Sequence, residues 1–255
     1  KFDLINIQFV KNLNPTNYFN IYTSSYNALN DIAQNYPVST DFLDANGNLK
    51  IDDGTSGFLV AAFTDPSLNL STVDLKSVLS ILERRVRLTE NNLIFSSNIT
   101  YSKTSKKDIF DNNFYAFKTK FESAGNLLSL FSRISKQLKS QSGANTFFEV
   151  EYSQYIKSEL EYIRHWGLSS KQVFAVKGFF GIAIPYGNSN SIPFSRSYFG
   201  GGSNDIRAWQ SYSLGPGSSE SILDFNEANM KLTLSSEFRF NVFGNLYSAV
   251  FVDAG

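Results

Sequence analysis

Long runs of strictly alternating polar and apolar residues constrain this chain more than any other feature. Between positions 229 and 242, one alternate set holds Lys231, Thr233, Ser235, Glu237, Arg239 and Asn241. The other holds Met230, Leu232, Leu234, Phe238, Phe240 and Val242, with Ser236 its single polar member. A period of two places those sets on opposite faces of a β-strand. The same reading applies to 147–163, where Glu149, Glu151, Ser153, Lys157, Glu159 and Glu161 oppose Phe148, Val150, Tyr152, Ile156, Leu160 and Tyr162. In 114–123, Lys118, Lys120 and Glu122 oppose Tyr115, Phe117 and Phe121. In 172–184, Phe174, Val176, Phe180, Ile182 and Ile184 oppose Lys177 and small residues. Several runs exceed the usual strand of about 5–6 residues and reach the ~9–11 that a tilted strand needs to cross a bilayer. Short connectors (167–170 and 243–246) alternate with long ones (127–146 and 185–228), the turn-and-loop asymmetry of outer-membrane barrels. The expected fold class is all-β: a transmembrane antiparallel β-barrel with helical insertions. A soluble antiparallel sandwich also alternates, and periodicity alone leaves that alternative open.

Composition narrows the chemistry. Aromatic residues make up 15% of the chain, charged residues 18%, and the formal net charge is +0. That neutrality offers no electrostatic reason to expect a nucleic-acid partner. The absence of cysteine excludes disulfides, thiolate metal sites and a cysteine nucleophile. His165 is the single histidine and no G-x-S-x-G elbow occurs, so a Ser/His/Asp hydrolase has little support. Gly200-Gly-Gly-Ser203 lacks the Gly-Lys-Ser/Thr ending of a P-loop. Asp44–Asp52 alternates oxygen ligands like a calcium loop, but Leu49 replaces its glycine and Thr55 its bidentate glutamate. An Asn/Gly turn is the better reading there. We therefore expect no catalytic residue, no metal, no cofactor and no enzyme activity.

Two segments depart from the β pattern. Asn17–Tyr36 carries helical spacing at Ile21, Ala28, Leu29 and Ile32. Leu70–Arg85 carries a stripe of Val73, Val78 and Leu82 with Leu75 and Leu79, and Ser71 and Asp74 stand at capping-box spacing. No stretch approaches the ~20 apolar residues of a membrane-spanning helix, and the N-terminus has no secretory-signal pattern. Residue 1 reads as mid-strand and Gly255 ends a strand without a partner to follow. The expectation is a fragment of a longer protein.

The segment 195–209 combines Gly200, Gly201 and Gly202 with Ser203, Asn204 and Asp205, followed by Ile206, Arg207, Ala208 and Trp209. Glycine admits backbone shapes that other residues resist, so this segment suits a hairpin folded back on itself, with Arg207 as its long planar donor. A guanidinium inside a barrel needs acidic partners. Glu237 lies on the polar face of the next strand, and Asp253 shares a face with Phe251 and Gly255 on the strand after it. The arrangement predicts Arg207 within ion-pair distance of Glu237 or Asp253.

This set of residues resembles the BamA/TamA superfamily, outer-membrane β-barrels that insert or export other proteins. Arg207, Glu237 and Asp253 match the superfamily's loop arginine and two wall acids in type and order, and Phe251, Asp253 and Gly255 match its aromatic-x-Asp-x-Gly motif. Ala208 and Trp209 depart from the common Gly-Phe/Tyr. The Arg-Ala-Trp form, Pro193-Phe194, Tyr198-Phe199, Leu214-Gly-Pro-Gly217, Phe121–Leu128 and Ile184–Asn188 are similar to the TamL-like branch of Bacteroidota. The likeness is good over 91–255 and loose over 1–90. It implies about eight strands of a parent barrel with roughly sixteen, residues 1–255 forming part of that one domain, with the first and last barrel strands and any POTRA domains outside it. It further implies residence in the outer membrane of a Gram-negative bacterium. The implied partners are outer-membrane lipids, unfolded outer-membrane client proteins and TamB-like or BAM-type accessory proteins. Other jobs compatible with these residues are a secretion pore for one dedicated partner, the barrel of a patatin-like surface lipase, and a soluble β-sandwich binding module.

Overall fold

A computed structural model describes residues 1–12, 14–134, 145–147, 150–212 and 227–255. The chain divides into two compact units, one built from residues 1–10 and the described residues from 92 onward, the other from residues 11–91.

The first unit is built on a seven-stranded antiparallel sheet. Its strands are β1 (Phe2–Val10), β2 (Asn92–Thr104), β3 (Tyr115–Ala124), β6 (Tyr155–Ser169), β7 (Gln172–Pro185), β8 (Met230–Phe243) and β9 (Leu246–Ala254), side by side in that order. Two short strands, β4 (Thr146–Phe147) and β5 (Val150–Glu151), pair with each other apart from it. Among the described residues the sheet has seven strands rather than about eight, and it does not close on itself: β1 and β9 are each paired on one side only. The run 147–163 is likewise not one strand. The backbone leaves the ladder at Ser153, whose N–H donates to Leu93 O, and at Gln154, whose N–H donates to Ser189 Oγ. The sequence period persists there while the hydrogen bonds go elsewhere.

Strand length and burial agree on what the sheet is for. β6 has 15 residues and β7 and β8 have 14 each, enough to cross hydrocarbon at a tilt. The apolar face is the exposed one: Ile99, Phe121, Leu160, Phe180, Leu232 and Val252 stand open. On the opposite face Asn98, Glu122 and Thr233 are buried. A soluble sandwich buries its apolar face, whereas a membrane strand turns it to lipid and keeps the polar set inside. The sheet is therefore part of a transmembrane barrel wall, as the alternation implies.

Pairing also sorts the connectors by end. Val10 pairs with Asn92, Ala124 with Tyr155 and Tyr155 with Pro185, so the long connectors 11–91, 125–154 and 186–229 leave from one end of the sheet. The other end carries the short turns at 105–114, 170–171 and 244–245.

The second unit is helical: α1 (Tyr18–Ile21), α2 (Thr23–Gln34), α3 (Asp53–Thr64) and α4 (Thr72–Thr89). Tyr18, Phe19, Leu29, Leu49, Phe58 and Val78 are the heart of its core. No helix is long and apolar enough to cross a membrane among the described residues. The Ser71 hydroxyl caps α4, accepting from Asp74 N at 3.1 Å and donating to the Asp74 carboxylate at 2.7 Å. Tyr36 OH donates to the same carboxylate at 2.6 Å. That last bond, followed by the Ser71 bond, holds the Asp74 carboxyl below its ordinary pKa. Two details of the stripe differ from the sequence reading. Val73 and Leu79 are exposed, and Ile81 is buried beside Val78. The buried line follows the three- and four-residue spacing that starts at Leu75. The 44–52 segment is a turn, with Asp44 Oδ1 accepting from Asn46 N and Asn48 N at 2.8 and 2.9 Å.

Candidate functional site

The connector between β7 and β8 carries the site. After Pro185 the chain turns, packs Ile192 and Tyr198 into a small cluster with Ile94, Ala124, Tyr155 and Ala183, and then folds back on itself at the glycines. Gly202 N donates to Trp209 O at 2.8 Å and Tyr212 N to Gly200 O at 3.1 Å, so two arms lie side by side. Gly201 takes φ +93°, and a Cβ on it would sit 2.3 Å from Gln210 O. No other residue type fits that approach. Asp205 ties the fold-back, accepting from Gly201 N at 2.9 Å and pairing with Lys231 of β8 at 2.8 Å. Phe199 and Phe194 both stack on Tyr212, with centroids 4.2 and 6.0 Å away.

This frame aims Arg207 at the wall. Its Nε and Nη2 donate to the two oxygens of Asp253 at 2.9 and 2.8 Å, and its backbone N donates to Asp253 Oδ2 at 3.1 Å. Nη1 donates to Glu237 Oε2 at 2.5 Å. The guanidinium lies 3.5 Å above the Phe251 ring centroid, a cation–π placement. The fork geometry of arginine satisfies a bidentate carboxylate and a second acid at once, which a lysine cannot do. The hydrogen bonds to Asp253, ahead of those to Glu237, raise the Arg207 pKa above its already high ordinary value, so it stays charged.

Register explains why the acids converge. Glu237 of β8 pairs with Phe251 and Ser235 with Asp253, so Glu237, Phe251 and Asp253 occupy one face of two neighbouring strands. Gly255 leaves space that Ile206 fills, since a Cβ there would lie 2.7 Å from Ile206 Cδ1. Ile206 is buried and Trp209 half exposed. Ala208 is not among the residues of positive φ, so the backbone there makes no demand for glycine. Gly200, Gly201, Gly202, Ile206, Arg207, Glu237, Phe251, Asp253 and Gly255 thus meet in one place, with Ala208 and Trp209 on the rim. The Leu214–Gly217 motif lies outside the described residues.

A second polar cluster escapes the sequence reading. Glu122 of β3, whose side chain is 2% exposed, pairs with Lys120 at 2.7 Å, accepts from Tyr155 OH at 2.6 Å and lies 3.6 Å from Arg196 of the connector. The charges under the loop are matched throughout: Lys157 with Glu159, Lys177 with Glu161, Lys231 with Asp205. His165 stacks on Phe114 at 4.4 Å. No group of side chains among the described residues forms a metal-binding set.

In comparison with known proteins, the family model of the Omp85 superfamily domain matches residues 41–255. The match begins inside the helical unit, earlier than the motif likeness at 91. No curated protein matches the chain.

Proposed function

This chain belongs to the Omp85 superfamily of outer-membrane proteins that insert or translocate other proteins, and from that premise we propose that it is barrel wall and bracing loop of an assembly factor in the TamL-like branch. The observation that carries this reading is Arg207 held between Glu237 and Asp253 on the wall. The work is physical rather than covalent. A wall whose apolar face is exposed along seven strands perturbs the lipid around it, and strand edges template incoming strands. Arg207, Glu237 and Asp253 hold the loop against the wall and catalyse nothing. The clients are unfolded outer-membrane proteins, with a TamB-like or BAM-type accessory protein as partner and a bacterium of the Bacteroidota as host.

Depleting the whole protein in its host tests the assembly role. The expected result is a broad fall in folded outer-membrane barrels. Loss of one secreted or surface protein with the other barrels intact would replace this reading with a dedicated export pore.

Residues 11–91 join the ends of β1 and β2 on the side of the sheet that bears the long connectors. In outer-membrane barrels those connectors face the cell exterior, and we propose the same side for this helical insertion. These 255 residues contain no cysteine, so within them each introduced cysteine is a single labelling site. A membrane-impermeant maleimide on intact cells should label Asn46→Cys, in the exposed 44–48 turn, and miss Asn245→Cys, in the β8–β9 turn, until the membrane is opened. The reverse pattern would invert the proposed orientation.

A further inference from the structure

We infer that Arg196 is a second positioning residue, and that Arg196 and Arg207 together make the connector a strap running across the wall from β1 to β9. Arg196 sits in a short 3-10 turn, Phe194–Arg196. Its Nη2 donates to Gln8 Oε1 of β1 at 2.9 Å, and its Nη1 lies 3.6 Å from Glu122 Oε1 of β3. The Arg196 carbonyl accepts from Lys157 Nζ of β6 at 2.8 Å. Eleven residues later Arg207 reaches Glu237 of β8 and Asp253 of β9. In the sheet order β1-β2-β3-β6-β7-β8-β9 these contacts touch the first and the last of the described strands.

The seat under the strap is built for it. Glu122 is buried among two donors of the wall, Lys120 and Tyr155. A buried carboxylate gains from a further cation only where the geometry is fixed, and the Arg196 turn is fixed on both sides. Ile192 and Tyr198 flank it in the sequence and are both buried. Tyr198 lies over Gly181 of β7, where a Cβ would stand 2.6 Å from the ring, and its hydroxyl donates to Glu159 at 3.3 Å. Burial, ahead of the nearby Glu159 charge, keeps the Tyr198 phenol protonated well above its ordinary pKa.

Length makes the strap mechanical. Seven strands spaced ~4.8 Å apart span about 29 Å along the sheet, and eleven residues reach at most ~40 Å when extended. A segment of that reach can cross the sheet, and its contacts at β1 and β3 and at β8 and β9 tie those strands to one spacing while both arginines stay docked. The two arginines therefore set the curvature of the wall, while each alone fixes only one side of the loop.

The test measures the distance between β1 and β9 in the whole protein in lipid. Spin labels at Ile7→Cys of β1 and Val250→Cys of β9, both exposed on the apolar face, report it by pulsed electron resonance. Arg196→Met should broaden the distribution and lengthen its mean by about one strand spacing, ~5 Å, with Arg196→Lys recovering part of the change. An unchanged distribution in Arg196→Met would overturn the strap. If Arg196→Met fails to fold, Gln8→Leu removes only the β1 contact and must itself broaden the distribution; if it does not, the inference fails. Its failure leaves the assembly reading standing, because client insertion is scored separately by depletion.

Discussion

Arg207→Met should release the Gly-rich loop from the wall. The methionine keeps the length of the stem but leaves Asp253, whose side chain is 4% exposed, without its two guanidinium bonds. Glu237 suffers less, since Arg239 Nε also donates to it. Removing one partner of a fully buried ion pair costs about 3–5 kcal/mol. The Arg207 side chain is 25% exposed, and solvent screening reduces the figure to about 2–3 kcal/mol. That corresponds to roughly 30- to 150-fold in the ratio of docked to undocked loop. Amide exchange reads it directly: the backbone N–H of residue 207, bonded to Asp253 Oδ2 on the wall, should exchange faster by about that factor, more than the Gly202 and Tyr212 N–H groups bonded within the loop. Arg207→Lys should fall between, because a point charge keeps one acid and loses the fork. Adding Asp253→Asn to Arg207→Met should recover part of the protection, since it removes the orphaned charge. Unchanged exchange in Arg207→Met would show that the loop is held by its apolar contacts alone. In the depleted host, the same variant should fail to restore folded barrels.

The contrast between Arg207 and Arg196 shows what a sequence discloses about such a site. Strands 115–124, 172–185 and 230–243 were legible because alternation over ten or more residues has one solution, a sheet with two unlike faces. Once those faces are known, Glu237 and Asp253 fall on the polar side by counting, and an arginine amid glycines asks for them. Arg196 offers no such request. It follows Pro193-Phe194-Ser195 without a glycine frame, and its partner Glu122 follows Lys118 and Lys120 on the same polar face, where those cations already balance it. Only the fold brings Arg196 to Glu122, across 74 positions of sequence. The 147–163 run failed for a related reason. Its alternation is real, but Leu93 O and Ser189 Oγ compete for the backbone N–H groups of Ser153 and Gln154, and distant acceptors leave no trace in a local period. In α4 the cap was legible from Ser71 and Asp74, whereas the buried line depended on which apolar positions met Leu29 and Phe58 in the core.

The same two faces yield the second large effect. Leu234 stands near the middle of β8 on the apolar face, 57% exposed, its Cδ1 covering the bare backbone of Gly178 in β7. If that face meets hydrocarbon, Leu234→Arg moves a guanidinium from water into lipid near the midplane, where the penalty is about 2–4 kcal/mol. An arginine at Ser102, an exposed position on the opposite face opposite Lys118 in β3, meets water instead and should cost well under half as much. Folding in lipid vesicles under urea, followed by the heat-dependent change in gel migration, separates the two variants. Leu234→Arg should lower the midpoint strongly and Ser102→Arg little. A soluble sandwich predicts the opposite order: an exposed leucine replaced by arginine on a water-facing sheet is neutral or improves solubility. Near-equal midpoints for wild type and Leu234→Arg would therefore deny that the exposed apolar face meets lipid, and with it the membrane wall on which the loop, its two arginines and the proposed strap depend.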